Sequence, residues 1–357
     1  MRSRGPLLLI LACALTAAVA PTATAATPPV RLLGERVVPF GFDFHGTTVG
    51  GLSGIDALPQ AGTYVLISDD RSALQPARFY TARIAVDGTG IGPIEFTGTR
   101  PLLGANGAPY ALNTVDPEEI RVDPWTGNYF WTQEGERAAS GLLDPSVRVA
   151  RPDGAFEAEL PIPDNERMRP DSGPQRNGAL EAATFAGGGA LFVSALEAPL
   201  LQDGPMPTAG AGALNRITVQ ARTGQLLAQY AYPIDPVFTE GTGSNGITSI
   251  LAADPLDPAK YLVVERSFVE GAGNRIRLYE ADLSAATNVL NAPLTNARPV
   301  AKRLLADLDD LGLSTVDNIE GSVWGPRLPT GERTLLLVSD DNFNDKQVTQ
   351  FIALALR

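Results

Sequence analysis

The sequence contains a single histidine, His45, and a single cysteine, Cys13. One histidine excludes a multi-histidine zinc site and leaves little room for a Ser-His-Asp triad. One cysteine excludes an internal disulfide, and its place inside an N-terminal apolar segment leaves no thiolate chemistry to a processed chain. Positive charge is also scarce. Lys and Arg number 28 against 40 Asp and Glu, a net charge of −12, and lysine is confined to Lys260, Lys302 and Lys346. That balance excludes nucleic-acid binding by general phosphate neutralisation. No stretch is apolar for long enough to anchor the chain in a bilayer, because residues 7–19 are too short to span one.

Hydrophobic residues make up 44% and charged residues 19%, which is the composition of a folded globular chain. Arg2 and Arg4 precede the apolar segment, and Ala23-Thr24-Ala25 follows it as an A-x-A cleavage site. The expectation is a Sec-type signal peptide over residues 1–25, no transmembrane anchor, and a mature single domain over 26–357. Its location would be secreted or periplasmic.

A hairpin pattern recurs five times: "GLSGIDALPQAGTYVLISDDR", "DPEEIRVDPWTGNYFWTQEGE", "NGALEAATFAGGGALFVSALEA", "NGITSILAADPLDPAKYLVVERS" and "NIEGSVWGPRLPTGERTLLLVSDDN". Each copy has a short first strand, a turn rich in Gly, Pro and Asp, and an apolar second strand. Aligned on Ser53, Glu118, Glu181, Thr248 and Glu320, the spacings are 65, 63, 67 and 72 residues; Glu118 and Glu119 both fit the second copy. A second hairpin follows the first three copies and, more loosely, the fourth. Four strands per repeat predict an all-β propeller of four-stranded blades. The fifth copy lacks its outer strand, and residues 30–40 can supply it, so the ring closes by pairing the N- and C-terminal strands. The count is five blades. Six stays as the alternative, with the extra blade in residues 199–212 or 288–313. "LLADLDDLGL" reads as a short helix, and Trp125, Trp131 and Trp324 as core or channel packing.

In a propeller blade the first strand starts, and the second ends, at the same rim. Both places are acidic here: Glu118, Glu181 and Glu320 at the starts; Asp69, Asp70, Glu134, Glu197, Glu265, Asp340 and Asp341 at the ends. Crowded carboxylates repel one another, and a divalent cation or a nearby arginine relieves the repulsion. Oxygen ligands favour Ca²⁺, with Mg²⁺ as the other hard cation. Arg71, Arg176 and Arg266 lie beside the acids and suit two-pronged contact with an anionic group. "SDDNFND" lacks EF-hand spacing, and the glycines of "GTTVGGLSG" precede no helix, so neither is a metal loop or a phosphate cradle.

The motifs "GTTVGGLSGIDALPQAGTYVLISDDRS", "NGALEAATFAGGGALFVSALE", "GITSILAADPLDPAKYLVVERSF" and "DNIEGSVWG…TLLLVSDDNF" together resemble the bacterial phytase-like family (esterase-like activity of phytase), over about residues 45–343. The resemblance implies an exported propeller that hydrolyses phosphoesters or carboxyl esters. It maps the family's recurring positions onto Ser53, Asp69, Asp70, Arg71, Glu181, Glu265, Arg266, Glu320, Asp340, Asp341 and Asn342. Ala182 departs from the pattern, where glycine commonly follows the glutamate. The acids are sparser than in calcium-dependent propeller phytases, which argues against phytate as substrate.

The expected site therefore has a metal held by Asp70, Glu181, Glu320 and Asp341, with Arg71 and Arg266 orienting a small anionic or ester substrate and Glu118 or Glu265 as general base. The chain is expected to act as a monomer. Two other readings share the same mouth: a non-catalytic ligand- or partner-binding propeller of the cell envelope, and a Ca²⁺-dependent lactonase-like enzyme.

Overall fold

The computed structural model describes residues 29–139 and 141–357. The targeting segment expected over residues 1–25 lies outside them. The described chain forms five antiparallel sheets of four strands each. Their innermost strands are Leu52–Ala57, Pro117–Val122, Leu180–Ala186, Gly243–Ala252 and Ile319–Arg327. The second strands are Thr63–Ser68, Tyr129–Gln133, Leu191–Leu196, Lys260–Val269 and Arg333–Ser339. These are blades 1 to 5, in chain order, and two short two-stranded ribbons complete the strands.

Burial follows strand position. Leu180–Ala186 is buried along nearly its whole length, as a strand covered on both faces must be. Arg78–Asp87, the third strand of blade 1, alternates buried and exposed residues toward its outer end. Five main apolar clusters hold the ring, one at each interface between blades. Ile55 and Val338 meet between blades 1 and 5, Ile67 and Trp131 between 1 and 2, and Phe130 and Phe192 between 2 and 3. Ile217 and Val263 meet between 3 and 4, and Val264 and Leu337 between 4 and 5. No blade owns a core of its own, so stability depends on the closed circle.

Closure is by the N-terminal strand. Val30–Val38 pairs antiparallel with Thr349–Leu356, Val30 opposite Leu356 and Val38 opposite Thr349. This supplies the fourth strand of blade 5. The six-blade alternative does not hold among the described residues: residues 199–212 add no sheet, and Ala301–Asp307 is the outer strand of blade 4. The helix expected in "LLADLDDLGL" shrinks to one 3-10 turn, Leu308–Leu311, because the preceding residues pair in that strand. Trp125 is not core. It is 61% exposed, beneath the guanidinium of Arg222. No described helix is long and apolar enough to cross a membrane.

One irregularity repeats with the fold. Every innermost strand carries a register shift against its second strand, between Leu52 and Gly54, Pro117 and Ile120, Leu180 and Ala182, Ile247 and Ser249, and Ile319 and Gly321. The extra residues are Ser53, Glu118, Glu181, Thr248 and Glu320, the positions on which the repeats align. A bulge bends its strand and re-aims one side chain. Here it does so at the same height in all five blades.

A candidate cation and anion site at the channel mouth

Three of the bulge residues are glutamates, and two carry hydroxyls. Ser53 Oγ donates to the carbonyl of Glu118 at 2.7 Å, and Thr248 Oγ1 to that of Ile319 at 2.9 Å. The hydroxyls thus stitch neighbouring inner strands together. With its proton committed to a carbonyl, Ser53 is not poised as a nucleophile. Glu118, Glu181 and Glu320 are left to furnish the mouth.

Residues of the second strands, or directly after them, that lie just past the bulges complete the ring. Ser68, Gln133, Glu265 and Ser339 are the last residues opposed to the inner strands before each bulge in blades 1, 2, 4 and 5. The next residue in each case points to the other face. Those residues are Asp69, Glu134, Arg266 and Asp340, with Glu197 in blade 3, and they gather with the bulge glutamates. Arg266 Nη2 donates to Glu197 at 2.6 Å, and its Nη1 lies 3.2 Å from Glu320. Asn318 Nδ2 bridges Glu320 at 2.9 Å and Asp340 at 3.1 Å. Arg71 pairs with Asp116 and Glu136.

Burial and mutual repulsion drive these acids toward protonation. Burial raises Glu134 to about 8, with Asp116 adding to the effect, and burial raises Asp340 to about 7. Burial raises Asp116 to about 6 against the pull of Arg71. Asp69, Glu118, Glu181 and Glu320 are held well above the usual carboxylate range, by burial first and then by neighbouring acids. Arg266 is pushed up by Glu197, Glu320 and Glu181 despite its burial.

The sequence-derived residues divide cleanly. Glu118, Glu181, Glu320, Arg71 and Arg266 meet at the mouth. Asp70 does not: it accepts from the backbone N–H groups of Ala73, Leu74 and Gln75 and pairs with the buried Arg78 at 2.6 Å, fixing a loop. Asp341 is likewise occupied, accepting from Gly51 N at 3.0 Å, Phe343 N at 3.1 Å and Thr349 Oγ1 at 2.9 Å. Glu265 faces the other way, bonded to Tyr232 Oη at 2.7 Å and to Lys302. His45 is exposed on the Asp43–Thr48 ribbon against Phe44.

Among the described residues two sets of carboxylates come close enough to share one ion: Asp116, Glu118 and Glu134, and Glu134, Glu181 and Glu197, each with ligand oxygens within 4.8 Å of one another. Oδ1 of Asp69 is buried without a hydrogen-bond partner. All donors are hard oxygens, so the set fits Ca²⁺ or Mg²⁺.

Below this ring the channel is closed by a residue that the sequence reading passed over. Arg121 reaches across the axis. Its Nε donates to Ala183 O at 2.6 Å, and its Nη1 to Ile55 O and Ser322 O, each at 2.9 Å. Its Nη2 donates to Glu119 Oε2 at 2.5 Å. One guanidinium thus ties the inner strands of blades 1, 2, 3 and 5. Blade 4 joins through longer bonds from Nη2 to Ser249 Oγ and Ile250 O, each at 3.5 Å, and through the Ser249 and Ser322 hydroxyls, 2.7 Å apart. Gly54 leaves room for this plug, since a Cβ there would lie 2.6 Å from Glu119 Oε1. Reading Arg121 as central would have required the bulge register, which a single sequence does not display.

A family model described as "Phytase-like: Esterase-like activity of phytase" matches residues 47–343. No curated protein matches the chain. Among solved structures, "Crystal structure of glucose dehydrogenase" is 12% identical, covering 92% of this chain and 99% of that one, TM-score 0.41. A second, "glucose dehydrogenase", is 13% identical over 92% and 99%, TM-score 0.37. "Structure of Dos1 propeller" is 7% identical over 87% and 69%, TM-score 0.37.

Proposed function

Since the chain belongs to the phytase-like family, we propose that it is an exported ester-bond hydrolase, acting on a small phosphoester or carboxyl ester with a divalent cation at the channel mouth. The observation that carries this reading is the ring of buried acids around Glu134, with an arginine on either side. Glu134, Glu181 and Glu197 would hold the cation, with Glu320 behind them. A bound cation would supply charge neutralisation of the reacting oxygen and acidify a water.

The remaining steps belong to the chain. Arg71, 32% exposed at the rim, meets the incoming anion. Arg266, deeper and fixed by Glu197 and Glu320, presents its guanidinium to a phosphoryl or carboxylate oxygen. Glu118, flanked by Asp116, Glu181 and Asp69, would take the proton from the attacking water in its ionised form, which the positive charge of a bound cation would favour. The bonds of Asp70 and Asp341 position the loops around the mouth and contribute no ligand. The one histidine stands on an exposed ribbon, so the chemistry rests on carboxylates.

The mature chain, stripped with chelator, should gain phosphomonoester or carboxyl-ester hydrolysis on addition of Ca²⁺. Glu181→Gln should lower both cation affinity and turnover by at least roughly tenfold. Equal inactivity with and without Ca²⁺ and Mg²⁺, at high protein concentration, removes the hydrolytic reading. A cation-dependent rise in thermal stability without turnover would favour a binding propeller instead.

A further inference from the structure

The Arg121 plug separates the acids from a hollow at the other end of the ring. On the face away from the acids lies a cavity of about 580 Å³, lined by Leu58, Pro124, Phe185, Val323, Trp324 and Arg333 among others. At its floor Asp56 is already engaged, accepting from Val122 N at 2.7 Å and lying 3.8 Å from Arg121. Arg333 is different. Its guanidinium carbon lies over the Trp324 ring, 3.8 Å from the centroid, and among the described residues its one hydrogen bond goes to the carbonyl of Ala253. Trp324 is itself fixed by Nε1 donating to Ala252 O at 2.9 Å. Among the described residues neither Arg333 nor its neighbour Arg327 forms an ion pair. Burial and Arg327 both weaken the charged form of Arg333, with only Asp254 opposing them. The same pair, Trp324 and Arg333, also borders a smaller adjoining cavity of about 330 Å³ that contains Arg327 and Arg303.

A half-buried cation with four unused N–H donors, stacked on an indole beside apolar walls, is built to receive an anion attached to a flat apolar body. We propose that this opposite-face cavity is a second binding site, for a small aromatic or aliphatic anion, with Arg333, held on Trp324, as the anion contact and the apolar walls around Leu58, Phe185 and Val323 receiving its body. It does not depend on the hydrolytic reading, because the plug separates it from the acidic mouth.

The test uses 2-naphthalenesulfonate, which carries no hydrolysable bond, and 2-naphthol as its neutral counterpart, with binding to the whole mature chain followed by calorimetry. The sulfonate should bind at least tenfold more tightly than the naphthol. Arg333→Gln should weaken the sulfonate roughly tenfold, the loss of one charge-assisted contact, and leave the naphthol unchanged. Ala57→Trp, an exposed position on the cavity rim, should exclude both ligands without disturbing the fold. Glu181→Gln and excess Ca²⁺ should change neither affinity. Equal affinity for the two probes, sulfonate affinity unchanged by Arg333→Gln, sulfonate binding that survives Ala57→Trp, or sulfonate binding altered by Glu181→Gln would overturn the proposal.

Discussion

Residue by residue, the mouth depends on which way each side chain turns, and one position separates a loop brace from a residue of the ring. Asp69 and Asp340 face the ring, whereas Asp70 and Asp341, next along the chain, fix loops. The sequence reading chose the second of each pair. It also chose Glu265 as a base, although its neighbour Arg266 is the residue at the mouth. The cause is the two-residue period of a strand combined with a bulge on its partner: identity and spacing were legible, but the face was not. Glu265→Gln should therefore destabilise the fold by about 1–3 kcal/mol, through weakened bonds to Tyr232 and Lys302, while kcat per folded molecule stays unchanged. Chemical denaturation and an active-protein titration would check this. The buried acids set a pH dependence of stability. Their folded pKa values lie above the unfolded ones, so between about pH 4 and those values the folded chain binds more protons. The contribution is fully present below the unfolded pKa and is lost as pH rises through about 6 for Asp116, 7 for Asp340 and 8 for Glu134. In chelator-treated protein the melting temperature should fall from pH 5 to 9, and millimolar Ca²⁺ should restore it most at the alkaline end. Scanning calorimetry across that range is the measurement.

At the scale of the strand, the bulge is the device that turns a repeated hairpin into a site. The hairpins, their order and the second strands could be read from composition and turn residues. The bulges could not, because no residue type announces them: Ser, Glu and Thr all occupy the same place. Ala182 and Gly54 show why glycine after the bulge is local rather than general. Gly54 faces Glu119 and the backbone of blade 2, with Glu118 O and Ile120 N each 2.8 Å from a would-be Cβ. In blade 3 the equivalent Ala182 packs in the apolar cluster against blade 4. Gly54→Ala should thus cost about 1–3 kcal/mol, by forcing two inner strands apart. Urea unfolding of the variant, with its midpoint compared at constant slope, gives the value.

For the whole molecule, ring closure was legible because the fifth copy ends one strand short and the N-terminal stretch is strand-like. What escaped the sequence was the channel interior, where residues far apart in the chain meet only once the circle is closed. Removing Val30–Val38 should uncover the edge of Thr349–Leu356 and expose the apolar seams on both sides of blade 5. The truncated protein should aggregate or elute as oligomers in size-exclusion chromatography, whereas the full mature chain should not.

The guanidinium of Arg121 makes this propeller a cup rather than a pipe. Anything admitted past the carboxylates would have to leave by the same doorway, because Arg121 ties the inner strands together below them. Hydrolysis of a neutral carboxyl ester there would add one more carboxylate to a ring already crowded enough to favour protonation. Expulsion of that acid would then be favoured by the same crowding that would favour a cation, so release would need no moving lid.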